Sequence, residues 1–241
     1  MPSCDRFRRV LIKLSGEAMA GEMGFGIDPK IANYIAKEVV AVQKSGIQVA
    51  LVVGGGNLIR GETFSAEGGI DRSVADQMGM LGTLMNALAL QSSIEHAGCP
   101  TRVQSAIAIA QVAETFIRRR AIRHLEKDRV VVFASGTGNP YFTTDTAAVL
   151  RALEIEAQVL IKATRVDGIY DCDPRKHAEA KKYDSLTFNE AISKNLAVMD
   201  QTAFTMCREH NMPVIVLDFN QPGALLTAAL GNKIGTYVGN E

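Results

Sequence analysis

Three consecutive glycines, Gly54-Gly55-Gly56, directly follow the apolar run Ile47–Val53. A short, continuous, Val-rich run of this kind reads as a strand buried on both faces, which requires a sheet covered by helices on either side. The glycines then form a bare backbone loop at the strand's carboxyl end. Without Cβ atoms, such a loop can turn several N–H groups onto an anion lying against the main chain. Arg60, four residues beyond Gly56, adds a planar charged fork suited to phosphate. The same residues also read as a tight strand-to-helix turn beside a solvated arginine, and the companion loops decide between the two.

The pattern recurs along the chain. Val10–Leu14, Thr101–Val103, Val130–Ala134, Val159–Ile161 and Val214–Leu217 are further short apolar runs of strand character. Helical periodicity fills the intervals. Asp28-Pro29 supplies an N-cap and a first-turn proline, and Ile31, Ile35, Val39 and Val42 follow at helical spacing. Further helices are expected over Ser73–Ala97, Phe116–Glu126, Thr144–Leu153, Phe188–Lys194 and Thr202–His210. Strands alternating with helices predict an α/β fold with a mainly parallel central sheet. Only Arg165–Tyr183, with its Asp167-Gly168 turn, looks like hairpin and loop. Without a linker, repeat or composition shift, residues 1–241 read as a single domain.

Charge excludes some partners. Lysine plus arginine and aspartate plus glutamate both number 26, so no net field favours nucleic acid or an anionic membrane. Positive charge for phosphate binding must therefore be local. No stretch approaches the ~18 apolar residues of a membrane span. Cys4, Cys99, Cys172 and Cys207 are scattered without a CxxC pair, and His96, His124, His177 and His210 form no ligand pattern. A reducing, cytoplasmic location follows as the expectation.

Ligands of such sheets sit beyond the carboxyl ends of the strands. Four loops occupy those ends: Lys13-Leu14-Ser15-Gly16-Glu17, the triple glycine with Arg60, Ser135–Asp145, and Lys162–Gly168. Each alone has a bland reading, since a strand-end lysine snorkels and Thr144-Asp145 can simply cap a helix. Converging on one crevice, they offer glycine amides, two lysines, an arginine and a carboxylate. That is the inventory phosphoryl transfer needs around a spreading negative charge. The common nucleotide fingerprints fail. No G-x-x-x-x-G-K-[ST] occurs, and Ile59 and Tyr141 stand where the third glycine of a G-x-G-x-x-G would fall.

The motifs Lys13–Ala18, Gly54–Gly61, Asp76–Leu81, Thr137–Asp145 and Lys162–Gly168 resemble those of the bacterial uridylate (UMP) kinases of the amino-acid kinase family, over about Arg9 to Thr236. The resemblance implies a three-layer αβα sandwich, one amino-acid-kinase-type domain, and transfer of the ATP γ-phosphate to UMP in pyrimidine nucleotide biosynthesis. It implies that Lys13, Leu14, Ser15, Gly16, Gly56 and Arg60 contact ATP phosphates, with Thr164, Tyr170 and Asp173 at the nucleoside end. Gly55, Asp76, Thr137, Gly138, Asn139, Pro140, Tyr141, Phe142, Thr143 and Thr144 would hold UMP. It further implies a homohexamer activated by GTP and inhibited by UTP. Gly21, Glu22, Met23, Gly24, Phe25 and Gly26 fall in the segment linked to the GTP response, and Arg102 and Arg129 where effector-binding arginines occur.

The chemistry follows from the acceptor. A phosphate monoester with a second pKa near ~6 is already largely a dianion and needs no general base. Bringing two anions together is the difficulty. Lys13 and Lys162 are expected to stabilise charge, Arg60 to clamp, Asp145 to orient the lysines, and Asp200 to help arrange cations. Mg²⁺ is expected to ride on ATP oxygens with no dedicated protein site. Two alternatives stay open: a kinase of the same fold acting on an amino acid or acetylamino acid, and a non-catalytic nucleotide-binding or metal-storage relative.

Overall fold

The structure is a computed structural model describing residues 6–59, 69–177, 179–196 and 199–240. Its centre is β1 (Arg9–Leu14), buried from Val10 onward and flanked by two parallel strands, β2 (Gln48–Val53) and β6 (Val159–Thr164). Outward from β2 lie β5 (Val130–Ala134), β3 (Thr101–Ser105) and the two-residue β4 (Glu114–Thr115). Outward from β6 lie β10 (Val214–Asp218), β11 (Thr236–Gly239) and β9 (Ser185–Thr187). Among the described residues these nine strands form one sheet, parallel except where β11 runs against β10.

Alternation along each strand feeds two cores. Val10, Ile12 and Leu14 face one layer of helices, α2 (Pro29–Lys44), α3 (Arg72–His96) and α8 (Ala224–Ala229). Leu11 faces the other, built from α4 (Arg118–Glu126), α5 (Thr144–Glu154), α6 (Phe188–Ser193) and α7 (Gln201–Glu209). The three-layer αβα sandwich is thus as expected. Asp28 caps α2 by accepting from the Lys30 amide at 2.8 Å, and Pro29 occupies its first position.

Some elements differ from the reading of the sequence. Phe116 and Ile117 precede α4 rather than opening it; Phe116 packs edge-on against Phe133 instead. The short α1 (Gly16–Met19), α8, β4, β9 and β11 carry too few residues for periodicity to register. The hairpin in Arg165–Tyr183 exists as β7 (Ile169–Tyr170) against β8 (Lys182–Tyr183), but Asp167-Gly168 leads into β7 rather than turning between the strands.

Sheet order reverses at β1: the chain leaves β1 toward β2, β5 and β3, then crosses to β6 on the opposite side. That switch opens a crevice at the carboxyl ends of β1, β2 and β6, the place where open α/β sheets bind ligands.

Candidate active site

Two lysines meet at the switch point. Lys13 and Lys162 are paired in register on adjacent strands, so both project on the side of Leu11 and Leu160, toward α5. There Asp145, in the first turn of α5, takes Lys13 Nζ at 2.7 Å on Oδ1 and Lys162 Nζ at 2.6 Å on Oδ2. The trio is nearly enclosed, with Lys13 7% and Asp145 9% exposed. Burial pushes the Asp145 carboxyl up, but the charges and hydrogen bonds of the two lysines outweigh it and hold it below the usual carboxylate value. For Lys162, burial dominates: its ammonium lies below the ordinary lysine value despite the pull of Asp145, and the charge of Lys13 adds to the lowering. Two cations and one carboxylate give the trio itself one net positive charge, with the Asp200 carboxylate also acting on Lys162.

A cavity opens on each side of this trio. One, of about 440 Å³, is lined by Lys13, Ser15, Gly16, the three glycines and Thr83 on one wall, and by Asp76, Thr137, Phe142, Thr143 and Thr144 on the other. The second, of about 560 Å³, is lined by Lys162, Thr164, Tyr170, Cys172, Asp173 and Asn195. Both fall within the range of small-molecule sites. Lys13 lines the first, Lys162 the second, and Asp145 joins them.

The glycines divide their labour. A Cβ on Gly16 would lie 2.5 Å from the Gly56 nitrogen and 2.8 Å from the Gly54 carbonyl carbon. One on Gly54 would lie 2.7 Å from the Gly16 nitrogen, and one on Gly55 2.5 Å from the Gly79 oxygen in α3. These three are glycine because backbones touch. At Gly56 a Cβ would meet nothing within 4 Å, since it faces the cavity. The Gly54 amide is spent on the Leu14 carbonyl at 2.9 Å; the Gly55 and Gly56 amides have no acceptor among the described residues.

Placement of the other expected residues is uneven. Leu14 does not line either cavity: its side chain is buried beneath the other helix layer and its carbonyl is occupied. Asp76 lines the first cavity, with its carboxylate engaged by the Tyr141 amide at 2.8 Å and by Arg72 at 2.9 Å. Gly138, Asn139, Pro140 and Tyr141 form the outer turn of their loop rather than lining the cavity. Tyr141, 71% exposed at φ +71°, touches the site through its amide alone. Tyr170 lines the second cavity and donates to Asp167 at 2.6 Å, while Asp173 caps a turn by accepting from the Arg175 amide. Asp200, expected to help arrange cations, acts through its charge on the Lys162 ammonium. It caps α7 by accepting from the Ala203 amide, and it accepts from the hydroxyls of Thr143 and Thr146, tying the α5 and α7 amino ends together. Arg60 lies outside the described residues.

The residues expected to respond to effectors line neither cavity. Gly21–Met23 form a 3₁₀ turn with Met23 and Phe25 exposed, and the Gly26 amide donates to the Asn57 carbonyl at 3.0 Å. Arg102 pairs with Glu95 at 3.3 Å, and Arg129 donates toward His124 Nδ1 at 3.2 Å.

The sequence reading missed the supports of the loops. Thr83, in the cavity wall, accepts from the Ser135 amide at 2.7 Å, and the Ser135 hydroxyl pairs with that of Ser105 at 2.9 Å. Ser135 is fully buried at φ +63°, a strained conformation for a residue with a Cβ, which starts the loop ending at Asp145. Asn86 holds the glycine loop from α3. The available signal was polar Thr83 and Asn86 on the apolar stripe that continues through Ala87, Leu90 and Ile94.

A doubly covered parallel sheet with a lysine–carboxylate–lysine centre between two nucleotide-sized cavities defines a phosphotransferase-type α/β protein. Residues 8–218 match the amino acid kinase family, and the chain belongs to that family. It is 56% identical over 234 residues, 97% of this chain and 69% of the relative, to "Uridylate kinase PUMPKIN, chloroplastic" of Arabidopsis thaliana. Its structure superposes on UMP kinase from Bacillus anthracis with a TM-score of 0.94 at 38% identity, covering 98% of this chain and 97% of that one. The UMP kinase from Ureaplasma parvum gives 0.91 at 36% identity, with 98% and 100% covered. The uridylate kinase from Archaeoglobus fulgidus gives 0.74 at 29%, with 95% and 99% covered.

Proposed function

We propose that this kinase transfers the γ-phosphate of ATP to UMP, giving UDP and ADP. The observation that carries the reading is the Lys13–Asp145–Lys162 trio at the junction of two cavities. The 440 Å³ cavity, with open glycine amides and threonine hydroxyls, takes the phosphates and UMP. The 560 Å³ cavity, with Tyr170 and Thr164, takes the nucleoside of ATP. The likeness to uridylate kinases from several organisms supports UMP as the acceptor.

Both partners in the transfer are anionic, so the protein's task is positioning and charge stabilisation. Lys13 and Lys162 neutralise charge building on the transferred group. Asp145 keeps the two ammonium groups side by side, which mutual repulsion would otherwise prevent. It is no base, since its oxygens are occupied and its carboxyl lies below the usual range. The donor set also bears on Mg²⁺. Asp145 is spent on lysines and Asp200 on caps, and no group of three or more His, Cys, Asp or Glu suited to an ion occurs among the described residues. In this reading Mg²⁺ comes with ATP as Mg-ATP, neutralising phosphate charge as it does in other kinases.

The reading extends to the assembly. Val74, Leu81 and Met85 form an exposed apolar stripe along α3, which supports a homo-oligomer, a hexamer by family likeness. GTP activation through Gly21–Gly26 and UTP inhibition involving Arg102 and Arg129 rest on resemblance. Free thiols at Cys99, Cys172 and Cys207 favour a reducing compartment such as the cytoplasm. The deciding experiment is a steady-state assay with Mg-ATP and UMP, CMP, aspartate or N-acetylglutamate, with and without GTP. Turnover with UMP is expected. Activity confined to an amino acid would defeat the assignment, and ATP binding without ADP release on any acceptor would point to a non-catalytic relative.

A further inference from the structure

The glycine loop has a support that none of the assigned residues supplies. Asn57, 2% exposed, and Asn86, fully buried, face each other across the interface between the loop and α3. Asn86 Nδ2 donates to Asn57 Oδ1 at 2.7 Å, and Asn57 Nδ2 donates back to Asn86 Oδ1 at 3.0 Å. Each Nδ2 has a second hydrogen, and each is used. That of Asn86 reaches the Gly54 carbonyl at 2.7 Å, and that of Asn57 reaches the Gly26 carbonyl at 2.7 Å. The Gly26 amide closes the circuit on the Asn57 carbonyl at 3.0 Å. A buried polar pair is tolerated in an apolar layer only when every donor is satisfied, and this one is.

We infer that the Asn57–Asn86 amide pair is a positioning device that holds the Gly55 and Gly56 amides in the geometry the transferred phosphates require. The inference rests on the proposed phosphoryl-transfer reading. Gly54 is fixed on both sides, by Asn86 on its carbonyl and by Leu14 on its amide. The next two amides, Gly55 and Gly56, are those without acceptors among the described residues. The fixed groups and the open groups are neighbours in one loop, so Asn86 sets where the open ones point. It touches no substrate, and apolar packing alone would ask for Leu at its position, between Thr83 and Ala87 on the buried face of α3. Preorganised donors stabilise developing charge because they need not reorganise during the reaction.

The test compares Asn86→Asp and Asn57→Ala with the unaltered protein. Each is measured for folding by circular dichroism and for kcat and KM of Mg-ATP and of whichever acceptor the unaltered protein uses. Establishing that acceptor first separates failure of this inference from failure of the UMP assignment. In variants that keep the native spectrum at the assay temperature, kcat is expected to fall at least tenfold, with the KM of the acceptor changed less than threefold. Folded variants with kcat within twofold of the unaltered protein would overturn the inference, whatever their Tm. Hydrogen exchange on the unaltered protein decides without any variant. The Leu58 and Ile59 amides, both bonded to the Gly55 carbonyl, should be protected before nucleotide is added. Protection that arises only with ATP would mean the loop is shaped by its ligand and not by the asparagines.

Discussion

The two halves of the crevice are built by opposite means. The phosphate side consists of strand-end turns pressed against each other, with Gly16 against Gly54 and Gly56, Gly55 against α3, and Thr83, Ser105 and Ser135 buried and bonded behind them. The nucleoside side is an irregular excursion between β6 and β9, braced by a two-residue hairpin and surface contacts such as Tyr170 to Asp167 and Lys182 to Asp167. Charge stabilisation needs groups fixed to a fraction of an ångström, and buried hydrogen bonds supply that fixity. Holding a base needs a surface and few bonds. The comparison predicts that substitutions on the phosphate side act on kcat or on folding, and those on the nucleoside side on KM.

The largest effect should come from the trio. Asp145→Asn removes the charge between two buried lysines and should cost about 3–5 kcal/mol of stability, as breaking a buried pair does. Lys13→Ala leaves Asp145 its bond to Lys162, so the protein should stay folded while kcat falls about 10²–10³-fold, the scale of one preorganised donor. Undiminished turnover by folded Lys13→Ala would break the electrostatic account.

Next come the glycines, where two neighbours should part. Gly16→Ala forces a Cβ onto backbone atoms at 2.5–2.8 Å, and overpacking of that kind costs about 1–3 kcal/mol. Gly56→Ala has open space and should leave Tm unchanged, yet it puts a methyl where the phosphates approach and should lower kcat/KM about tenfold. Equal Tm values for the two variants would remove the distinction between packing and binding glycines.

A pH profile should sharpen the same contrast. Lys162 acts protonated, and its ammonium lies below the ordinary lysine value because it is buried. As pH rises through that lowered pKa the charge is lost, so kcat should fall on the alkaline side before an ordinary lysine near ~10.4 would titrate. Lys162→Arg should move that limb upward. Asp145 has the opposite sign, its folded pKa being depressed. Its contribution to stability is fully present above the unfolded value near ~3.9 and is lost progressively as pH falls from there through the lower folded value. Urea titrations should therefore show this loss beginning in the ordinary carboxylate range and completing only below it.

The same division governs what could be read in the sequence. The strands at the crevice were legible because each is a continuous apolar run, and Val130–Ala134 matches its strand residue for residue. Lys13 and Lys162 could be chosen only because several strand-end loops offered phosphate-binding groups together, a strand-end lysine alone being an ordinary snorkelling residue. Their pairing on Asp145 was expected as a role, whereas the register that makes it possible appears only in the sheet. The asparagine pair and Ser135 were illegible: a buried amide looks like any polar residue until its partner, 29 positions away for Asn57 and Asn86, is known. Which residues of the Thr137–Thr144 loop line the cavity was equally illegible, because motif likeness does not say which way each residue of a loop faces.

The smallest effect belongs to Tyr170. Its hydroxyl is spent on Asp167 at 2.6 Å, a surface bond, and its ring lines the nucleoside cavity. Tyr170→Phe keeps the ring and loses the bond, so KM for ATP should change less than about threefold and kcat not at all, since exposed polar pairs contribute little. Tyr170→Ala removes the ring and should raise the KM for ATP about tenfold, on the scale of one aromatic contact with a base. The KM for the acceptor should stay put in both. A loss of kcat in Tyr170→Phe as large as that in Lys13→Ala would show that the two halves of the crevice work as one rigid unit, and the division between fixed and adaptable walls would have to be given up.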